Sequence, residues 1–427
     1  MPEATTPPAS SRSKILAWTF FDFANTAFSV IIVTVIYSRY FTRHVAGGQQ
    51  WLWGLAVSLS MICAAALSPP LGAVADSSRN RKLFLFLFTL MCVISTSLMF
   101  FVTEGMVFTG LLLFVFANIG FEGGLVFYDA FLPGITAPSS YGRVSGYGFA
   151  MGYLGALAVL AIVHFLLPGS SDPSYLYYIR FSFVIAAVFF MLFSLPMFIW
   201  VQEPPLIEKR PDSPLRAGIA RAGATLKALF VKREYPSIAR FLIAFFIYND
   251  GILTIIAFAA IFAEQSLNMS DDAIIVFFAI VQTSAVLGSL VFGVITDSIG
   301  PKKTISITLL FWIAIVVGAF FAYTVSFFYV VGFAAGIAIG SSQSASRSLM
   351  ALLTPKSREA EFFGFYDGLC GKASAVVGPL LYGIVADLTT ERTAALVIGI
   401  FFVIGFVLIQ GVREPERKTA PQPDFAA

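Results

Sequence analysis

Long apolar runs follow one another along almost the whole chain, and short segments with charged or turn-forming residues separate them. A helix needs about 20 mostly apolar residues to cross a bilayer, so runs of this length predict membrane-spanning helices. An outer-membrane barrel would instead show alternating segments of about 10 residues. We therefore predict an all-α integral membrane protein with twelve transmembrane helices. The predicted spans are residues 15–41, 52–75, 83–102, 107–130, 144–167, 181–200, 241–263, 273–296, 304–323, 327–348, 362–386 and 394–412.

The composition agrees with a protein dissolved in lipid. Of 427 residues, 58% are hydrophobic and only 12% are charged, about half the charged share of a soluble domain. This excludes an ordinary cytosolic enzyme, a nucleic-acid binder and a disordered protein. Cys63, Cys92 and Cys370 lie scattered in apolar runs, so we expect neither a disulfide framework nor a metal site.

Basic residues are distributed unevenly between the two sides of the predicted bundle. With the N-terminus inside, the cytoplasmic segments hold 21 of the 27 Lys and Arg residues, so we expect both termini in the cytoplasm. The predicted domains are a disordered cytoplasmic tail (1–14), an N-terminal six-helix half (15–200), a basic cytoplasmic hinge loop (201–240), a C-terminal six-helix half (241–412) and a cytoplasmic tail (413–427). The later part of the hinge is either a basic amphipathic helix on the inner leaflet or a plain basic loop.

The two halves repeat each other. Residues of the same type recur at similar offsets, which indicates a duplicated six-helix unit of the kind found in secondary transporters. The matching pairs are Asp76 and Asp297 (221 residues apart), Asp22 and Asp250 (228 apart), and Gly146 and Gly364 (218 apart).

A loop motif accompanies this repeat. The pattern GxxxDxxGx[RK][RK] follows the second and the eighth span and resembles the signature loop of the major facilitator superfamily. The second copy fits fully, whereas the first has Arg79 in place of the second glycine. The resemblance implies that these loops take part in gating. Their residues are Gly72, Asp76, Arg81, Lys82, Gly293, Asp297, Gly300, Lys302 and Lys303.

Within the superfamily, the chain resembles the bacterial relatives of the autophagy-related vacuolar amino-acid effluxers. Stretches beginning at Trp18, Val126, Gly142, Tyr248 and Ser346, and the one beginning at Arg358, carry this resemblance over nearly the whole chain. The sequence departs from the family pattern where Phe21, Glu122 and Asp129 replace the usual Tyr, an amide and Asn. The resemblance implies a permease, with amino-acid export attached to the fungal relatives.

Few ionisable or amide side chains interrupt the predicted spans. Each one costs at least a few kcal/mol in lipid unless it faces protein, water or a partner, so each is a candidate for binding substrate or proton. In the superfamily, spans one, four, seven and ten line the central cavity, and four of the five spans that carry these residues are those. The candidates are Asp22, Asn25, Asn118, Glu122, Asn249, Asp250, Gln343, Arg347, Asp367 and Lys372.

Each candidate also has a structural interpretation. Asp22 and Asp250 bind substrate or a proton, or else form ion pairs that fix helix packing, and Glu122 is a ligand unless Asn118 and Arg347 neutralise it.

Two details concern helix geometry. Lys372 either forms a structural pair with Asp367 or pairs with residues of other helices. The five-residue spacing does not place the two on one face of an α-helix, which favours partners on other helices. Gly251 is expected to loosen the seventh span.

Other marked residues are expected to be structural. We interpret Asp129 and Arg143 as gate or loop contacts. His44, in a loop, and His164 are expected to be surface or packing residues rather than metal ligands. A stripe of small residues in span ten predicts close helix packing. The stripe is Gly332, Gly336, Gly340 and Ser344.

No motif of a metalloprotease, hydrolase or nucleotide-binding enzyme occurs, so we predict a protein that is not an enzyme and needs no cofactor. The predicted function is secondary active transport of a small solute, an amino acid by efflux, through alternating access, with protons as the candidate coupling ion. The alternatives are a permease for a sugar or peptide and a non-transporting sensor or scaffold. We expect a monomer in the bacterial inner membrane that binds lipid and solute and no nucleic acid.

Overall fold

The computed structural model describes residues 12–169, 171–203, 213–375 and 377–415, so most of both predicted tails and part of the hinge lie outside the described residues. Eleven helices in this part of the chain are long and apolar enough to cross a membrane. They are α1 (Arg12–Val45), α2 (Gln50–Ser78), α3 (Arg81–Phe101), α4 (Val107–Asp129), α5 (Tyr141–Leu166), α6 (Tyr175–Trp200), α7 (Pro236–Leu267), α8 (Asp271–Ile299), α9 (Pro301–Phe320), α10 (Val325–Leu353) and α12 (Glu391–Gln410).

The eleventh crossing, α11, is interrupted. It consists of a short helix Glu359–Phe363, a π-helix Gly364–Gly371 and an α-helix Val377–Leu388. The predicted span over 362–386 is therefore present, but the prediction that it is one continuous helix is wrong. Three glycines in eight residues weaken the α-helix here, and two of them lie directly against Ser68 of α2. With α11 the bundle has the twelve predicted crossings.

The packing of the helices repeats with a period of six. In the first half α1 packs against α5 and α6, and α3 packs against α4 and α6. In the second half α7 packs against α11 and α12, and α9 packs against α10 and α12. The halves meet through two equivalent contacts, α2 with α11 and α5 with α8. This confirms the predicted fold of two six-helix pseudo-repeats.

Close backbone approach explains the glycines that the sequence repeats. A Cβ atom at Gly146 would lie 2.2 Å from the carbonyl oxygen of Ser289, and one at Gly364 would lie 2.7 Å from that of Ser68. Both positions join the two halves. The stripe in α10 packs in the same way within one half, since a Cβ at Gly336 would lie 2.2 Å from the Val281 oxygen. Its prediction as a packing surface is confirmed.

Two local predictions were wrong. Helix α7 runs unbroken through Gly251. A Cβ atom at this position would lie 3.0 Å from Phe401 and from Phe402, so the glycine instead makes room for these two side chains. His44 lies in the π-helical last turn of α1, Phe41–Val45, rather than in a loop. Both differences arise because packing against neighbouring helices keeps these segments helical.

The later part of the hinge forms a helix, Pro214–Phe230, which we call the hinge helix. It packs against α2, where Gly218 lies against Val74. Thr225 and Leu229 of this helix are buried, while Ile219, Leu226 and Phe230 form an exposed apolar stripe along it. The structure thus favours the amphipathic helix over the plain loop, and its contact with the leaflet stays a prediction.

Candidate functional site

The arginine of α10 lies at the centre of the molecule between two carboxylates of the opposite half. Its Nη1 is 3.2 Å from Oδ2 of Asp22 in α1, and its Nε is 2.9 Å from Oδ1 of Asp129 at the end of α4. The side chains of Arg347 and both partners are less than a tenth exposed. The sequence indicates a gate or loop contact for Asp129, and the structure instead places it in this buried ion-pair network.

Aromatic side chains enclose this network. The Tyr128 hydroxyl donates a hydrogen bond of 2.8 Å to Oδ2 of Asp22, and the indole of Trp18 donates to the Tyr128 carbonyl oxygen at 3.0 Å. The guanidinium lies 3.8 Å from the ring centre of Phe149. The face of the Phe149 ring attracts the guanidinium, and the exclusion of water strengthens the ion pairs of Arg347.

The lysine of α11 forms a second buried ion-pair network. Lys372 contacts Glu122 of α4, and its Nζ lies 3.3 Å from Oδ2 of Asp367. The structural Asp367–Lys372 pair, which the five-residue spacing disfavours in an α-helix, is present, because Asp367 lies in a π-helix, whose wider turn brings residues five apart onto one side. The expected partner on another helix is also present, namely Glu122.

Together these residues form what we call the central cluster. It contains four carboxylates and two cations, so its formal charge is −2 if every group is ionised. Glu122 pairs with Lys372, and neither Asn118 nor Arg347 neutralises it as one interpretation proposed. The central cluster consists of Asp22, Glu122, Asp129, Arg347, Asp367 and Lys372.

The aspartate of α7 has a different environment. Both oxygens of Asp250 accept the Gly378 amide, at 3.0 Å each, so this carboxylate binds the N-terminus of the last segment of α11. The adjacent Asn249 donates a hydrogen bond of 2.6 Å to the Ser374 hydroxyl, just before that segment. A carboxylate at a helix N-terminus satisfies free amides and complements the helix dipole. The two α7 side chains therefore hold the interruption of α11.

The remaining amide candidates lie around the central cluster. Asn25 donates to Oδ1 of Asp22 at 3.4 Å, and Gln343 accepts a 2.5 Å hydrogen bond from Tyr153 of the opposite half. Asn118 is fully buried and donates to Ser60 at 2.8 Å.

The first loop motif joins the halves at the end of the bundle that carries the hinge helix, which we call the hinge end. Asp76 accepts the amides of Ala360 and Glu361 at 3.1 and 2.9 Å, and its Oδ1 lies 2.6 Å from Nε of Arg81. Arg81 also pairs with Glu359. A Cβ at Gly72 would lie 2.2 Å from the Ala360 carbonyl oxygen, so the first glycine is needed for this contact.

The second loop motif makes the equivalent contact with α5. Asp297 accepts the amides of Gly142 and Arg143 at 2.8 and 3.2 Å. Gly300 ends α8 with φ 103°, and Arg79 ends α2 with φ 55° in the left-handed region. Both loops therefore turn through a residue of positive φ, and the non-glycine residue in the first copy does not prevent the turn.

The basic residues of the motifs also hold the ends of α6 and α12. Lys82 Nζ donates to the Val201 carbonyl and Lys302 Nζ to the Gln410 carbonyl, each at 2.8 Å. Glu203 contacts the Lys82 amide, and partial burial raises the pKa of this carboxyl above its usual range. Lys303 is exposed.

A further network at the hinge end was not among the candidates. Glu361 is fully buried and binds Arg221 of the hinge helix at 3.1 Å, Arg358 at 2.9 Å and the Thr225 hydroxyl at 2.5 Å. Burial lowers the pKa of Arg358, and the hydrogen bond and charge of Glu361 raise it to a net value above normal. In the sequence, the family resemblance of the stretch from Arg358 to Gly364 is the feature that points to this network.

Comparison of the sequence with known proteins identifies the family of this chain. Residues 53–420 match the family described as "Vacuole effluxer Atg22 like". The chain belongs to this family. A relative in Bacillus subtilis (strain 168), the MFS-type transporter YxiO, is 30% identical over 409 residues and covers 93% of this chain and 94% of its own length.

Fungal members of the Atg22-like family are longer. Autophagy-related protein 22 of Yarrowia lipolytica is 28% identical over 279 residues, which are 58% of this chain and 46% of that protein. The matched region is thus about half the length of the fungal relative.

Solved structures agree on the fold. The human organic anion transporter MFSD10 superposes with a TM-score of 0.75 at 15% identity, covering 95% of this chain and all of that one. The proton:xylose symporter XylE gives a TM-score of 0.74 at 15% identity. This Atg22-like protein is therefore a multi-pass membrane transporter of the major facilitator fold, which is not an enzyme.

Proposed function

We propose that this Atg22-like transporter exports a zwitterionic amino acid with an apolar or aromatic side chain, with protons as the coupling ion, by alternating access. The observation that supports the proposal is the central cluster, which lies between the halves and contains both signs of charge. A zwitterion carries the same two signs. Its ammonium group fits the excess of carboxylates, and its carboxylate fits Arg347 or Lys372 once their present partners release them. The name of the matching family, which describes an effluxer, supports the direction.

The excess of carboxylates supports coupling to protons. A buried cluster with a formal charge of −2 is costly, so we infer that it takes up positive charge as protons or as the substrate's ammonium group. Protonation of Asp22 or Asp129 would weaken the hold on Arg347 and free it for a solute carboxylate. Asp250 is a second candidate proton site, since it lies in the equivalent helix of the other half.

We further propose that the termini and the hinge end face the cytoplasm of a bacterium, in the inner membrane. The distribution of Lys and Arg supports this orientation. The hydrogen bonds and ion pairs between the halves in the described residues lie at the centre and at the hinge end, which supports a conformation that is closed toward the cytoplasm.

Reporters fused after Arg413 and near Ser213 should both be cytoplasmic. Labelling of a cysteine at Ser213 from outside intact cells would contradict the orientation.

A second candidate solute is a cationic or neutral amine. The present pairing of both cations favours it, because a solute without a carboxylate need not displace any acid. Purified protein in liposomes, assayed for leucine and tyrosine flux beside analogues that lack either the carboxylate or the amine, separates the candidates. Preference for the zwitterions supports the amino-acid proposal. Equal or better transport of the amine analogue supports the second candidate, and absence of any flux contradicts both.

A further inference from the structure

A basic pocket lies at the end of the first half opposite the hinge end. The last turns of α1 and α5 and the first turns of α6 border an open cavity of about 360 Å³. Arg39, Arg43, His44 and His164 line it, and among the described residues that line it none carries a carboxylate. Four cationic or protonatable side chains from two helices around one cavity create a positive potential that attracts an anion.

The cations of this pocket differ from the other arginines at the same end. Arg180 lies over the ring of Phe100 and donates to the Leu176 carbonyl, and Arg392 donates to the carbonyl oxygens of Phe320 and Ser266. Arg39 and Arg43, in contrast, form no ion pair with any carboxylate in the described part of the chain. Their guanidinium groups are therefore available to a ligand.

The position of the pocket along the membrane-spanning helix and the side chains that line it indicate the chemistry of that ligand. Twenty-seven residues separate Arg12 from Arg39, which at a rise of about 1.5 Å per residue is about 40 Å, the thickness of a bilayer with its headgroups. A span that starts with Arg12 at one surface of the bilayer therefore brings Arg39 and Arg43 to the level of the lipid phosphates at the other surface. The rest of the lining is largely apolar, with Val35, Leu160 and Ile179 among its residues.

We propose that this pocket binds a phosphate group through Arg39 and Arg43, either as the headgroup of an anionic phospholipid or as a soluble phosphate. Arginine guanidinium groups bind phosphate oxygens in pairs of parallel hydrogen bonds, and basic pockets between membrane helices suit phospholipid headgroups. The pocket is distant from the central cluster, so the proposal does not depend on the transported solute.

The test uses the purified full chain and three variants. The double variant Arg39→Gln/Arg43→Gln removes the charges, and Leu160→Trp fills the pocket without changing charge. Arg180→Gln is the charge control, because it removes one charge from the same end and its side chain does not line the pocket. Native mass spectrometry measures retained dioleoyl phosphatidylglycerol against dioleoyl phosphatidylcholine, and thermal unfolding measures stabilisation by inorganic phosphate.

The expected result is retention of phosphatidylglycerol by the wild type and by Arg180→Gln, with a loss of about tenfold or more in the double variant and in Leu160→Trp. If inorganic phosphate instead stabilises the wild type and not the double variant, while no lipid is retained, the phosphate is soluble. Equal behaviour of the wild type and the double variant with both probes overturns the proposal. An equal loss in Arg180→Gln, or full binding by Leu160→Trp, also overturns it, since either indicates charge attraction without a pocket.

Discussion

Asp22 and Asp250 occupy equivalent helices of the two halves but bind different kinds of partner. Asp22 in α1 contacts the guanidinium of Arg347 in the other half, whereas Asp250 in α7 binds the N-terminus of a helix segment in its own half. The first carboxylate joins the halves, and the second shapes one of them. A duplicated residue thus keeps its position and its charge while its structural role changes. The difference is open to direct test.

The largest effect is expected from Arg347→Gln, which breaks the contact of Asp22 across the halves. Removing this cation leaves Asp22 and Asp129 as uncompensated buried charges, at a cost of about 3–5 kcal/mol. Solute flux in liposomes should fall to background, and thermal unfolding in detergent should shift to lower temperature. Lys232→Gln is the control, because that side chain is 66% exposed, pairs with the nearby Glu234 and should change both readouts little. Normal flux in Arg347→Gln would contradict the bridging role.

A smaller effect is expected at Asp250, where two variants separate capping from proton transfer. Asp250→Ala leaves the Gly378 amide without an acceptor and should cost about 1–2 kcal/mol of unfolding free energy, while Asp250→Asn keeps an acceptor and should cost a few tenths. If Asp250 also carries a proton, flux driven by a pH gradient is lost in Asp250→Asn while solute exchange continues. Gradient-driven flux that survives this substitution would assign Asp250 to structure alone.

The two loop motifs provide the next comparison. Asp76 binds two amides and the buried Arg81, whereas Asp297 binds two amides and the half-exposed Arg143. Asp76→Asn should therefore cost about 1–3 kcal/mol and Asp297→Asn about 1 kcal/mol, since a charge-assisted bond to a buried partner is worth more. Thermal unfolding of both variants measures the difference. The opposite order would show that exposure of the cation does not decide the strength of the loop contact.

The smallest effect is expected from Arg79→Gly. Arg79 occupies the left-handed region at φ 55°, so glycine relieves a small strain but gives up the hydrogen bond to the Glu203 carbonyl, and stability should change by less than about 1 kcal/mol. Gly300→Ala, at φ 103°, should cost more, about 1–3 kcal/mol. Chemical denaturation compares the two. A larger loss in Arg79→Gly would show that its side chain, rather than its backbone, holds the first loop.

The sequence predicts those parts of the molecule on which lipid acts directly. Spans, the six-helix repeat and the close-packing glycines follow from hydropathy and spacing, because lipid requires continuous apolar helices and helix contact in lipid favours small residues. The interruption of α11 was not predicted, because glycines and charged residues such as those of Gly364–Gly371 also occur in spans that stay α-helical, as Asp250 and Gly251 do in α7. Its contacts are with residues far away in the chain, Ser68 of α2 and Asn249 and Asp250 of α7.

The sequence also does not predict which residues pair in the ion-pair networks. Candidates such as Arg347 were found because charge is rare in spans, but Asp129 lies at the very end of α4, where a charge is ordinary, and its pairing depends on how α10 meets α4. The Asp367–Lys372 contact needed the π-helix, whose turn is fixed by packing rather than by local residues.

Charge is arranged asymmetrically along the contact between the halves. At the centre, Arg347 and Lys372 of the second half meet carboxylates of the first, and at the hinge end Arg81 and Arg143 of the first half meet carboxylates of the second. A molecule assembled from two copies of either half would face carboxylate with carboxylate at its centre or cation with cation. Each half, expressed alone, should therefore fail to form a stable homodimer, while co-expression of both should restore the transporter, because the duplicated gene has become two complementary parts that are no longer interchangeable.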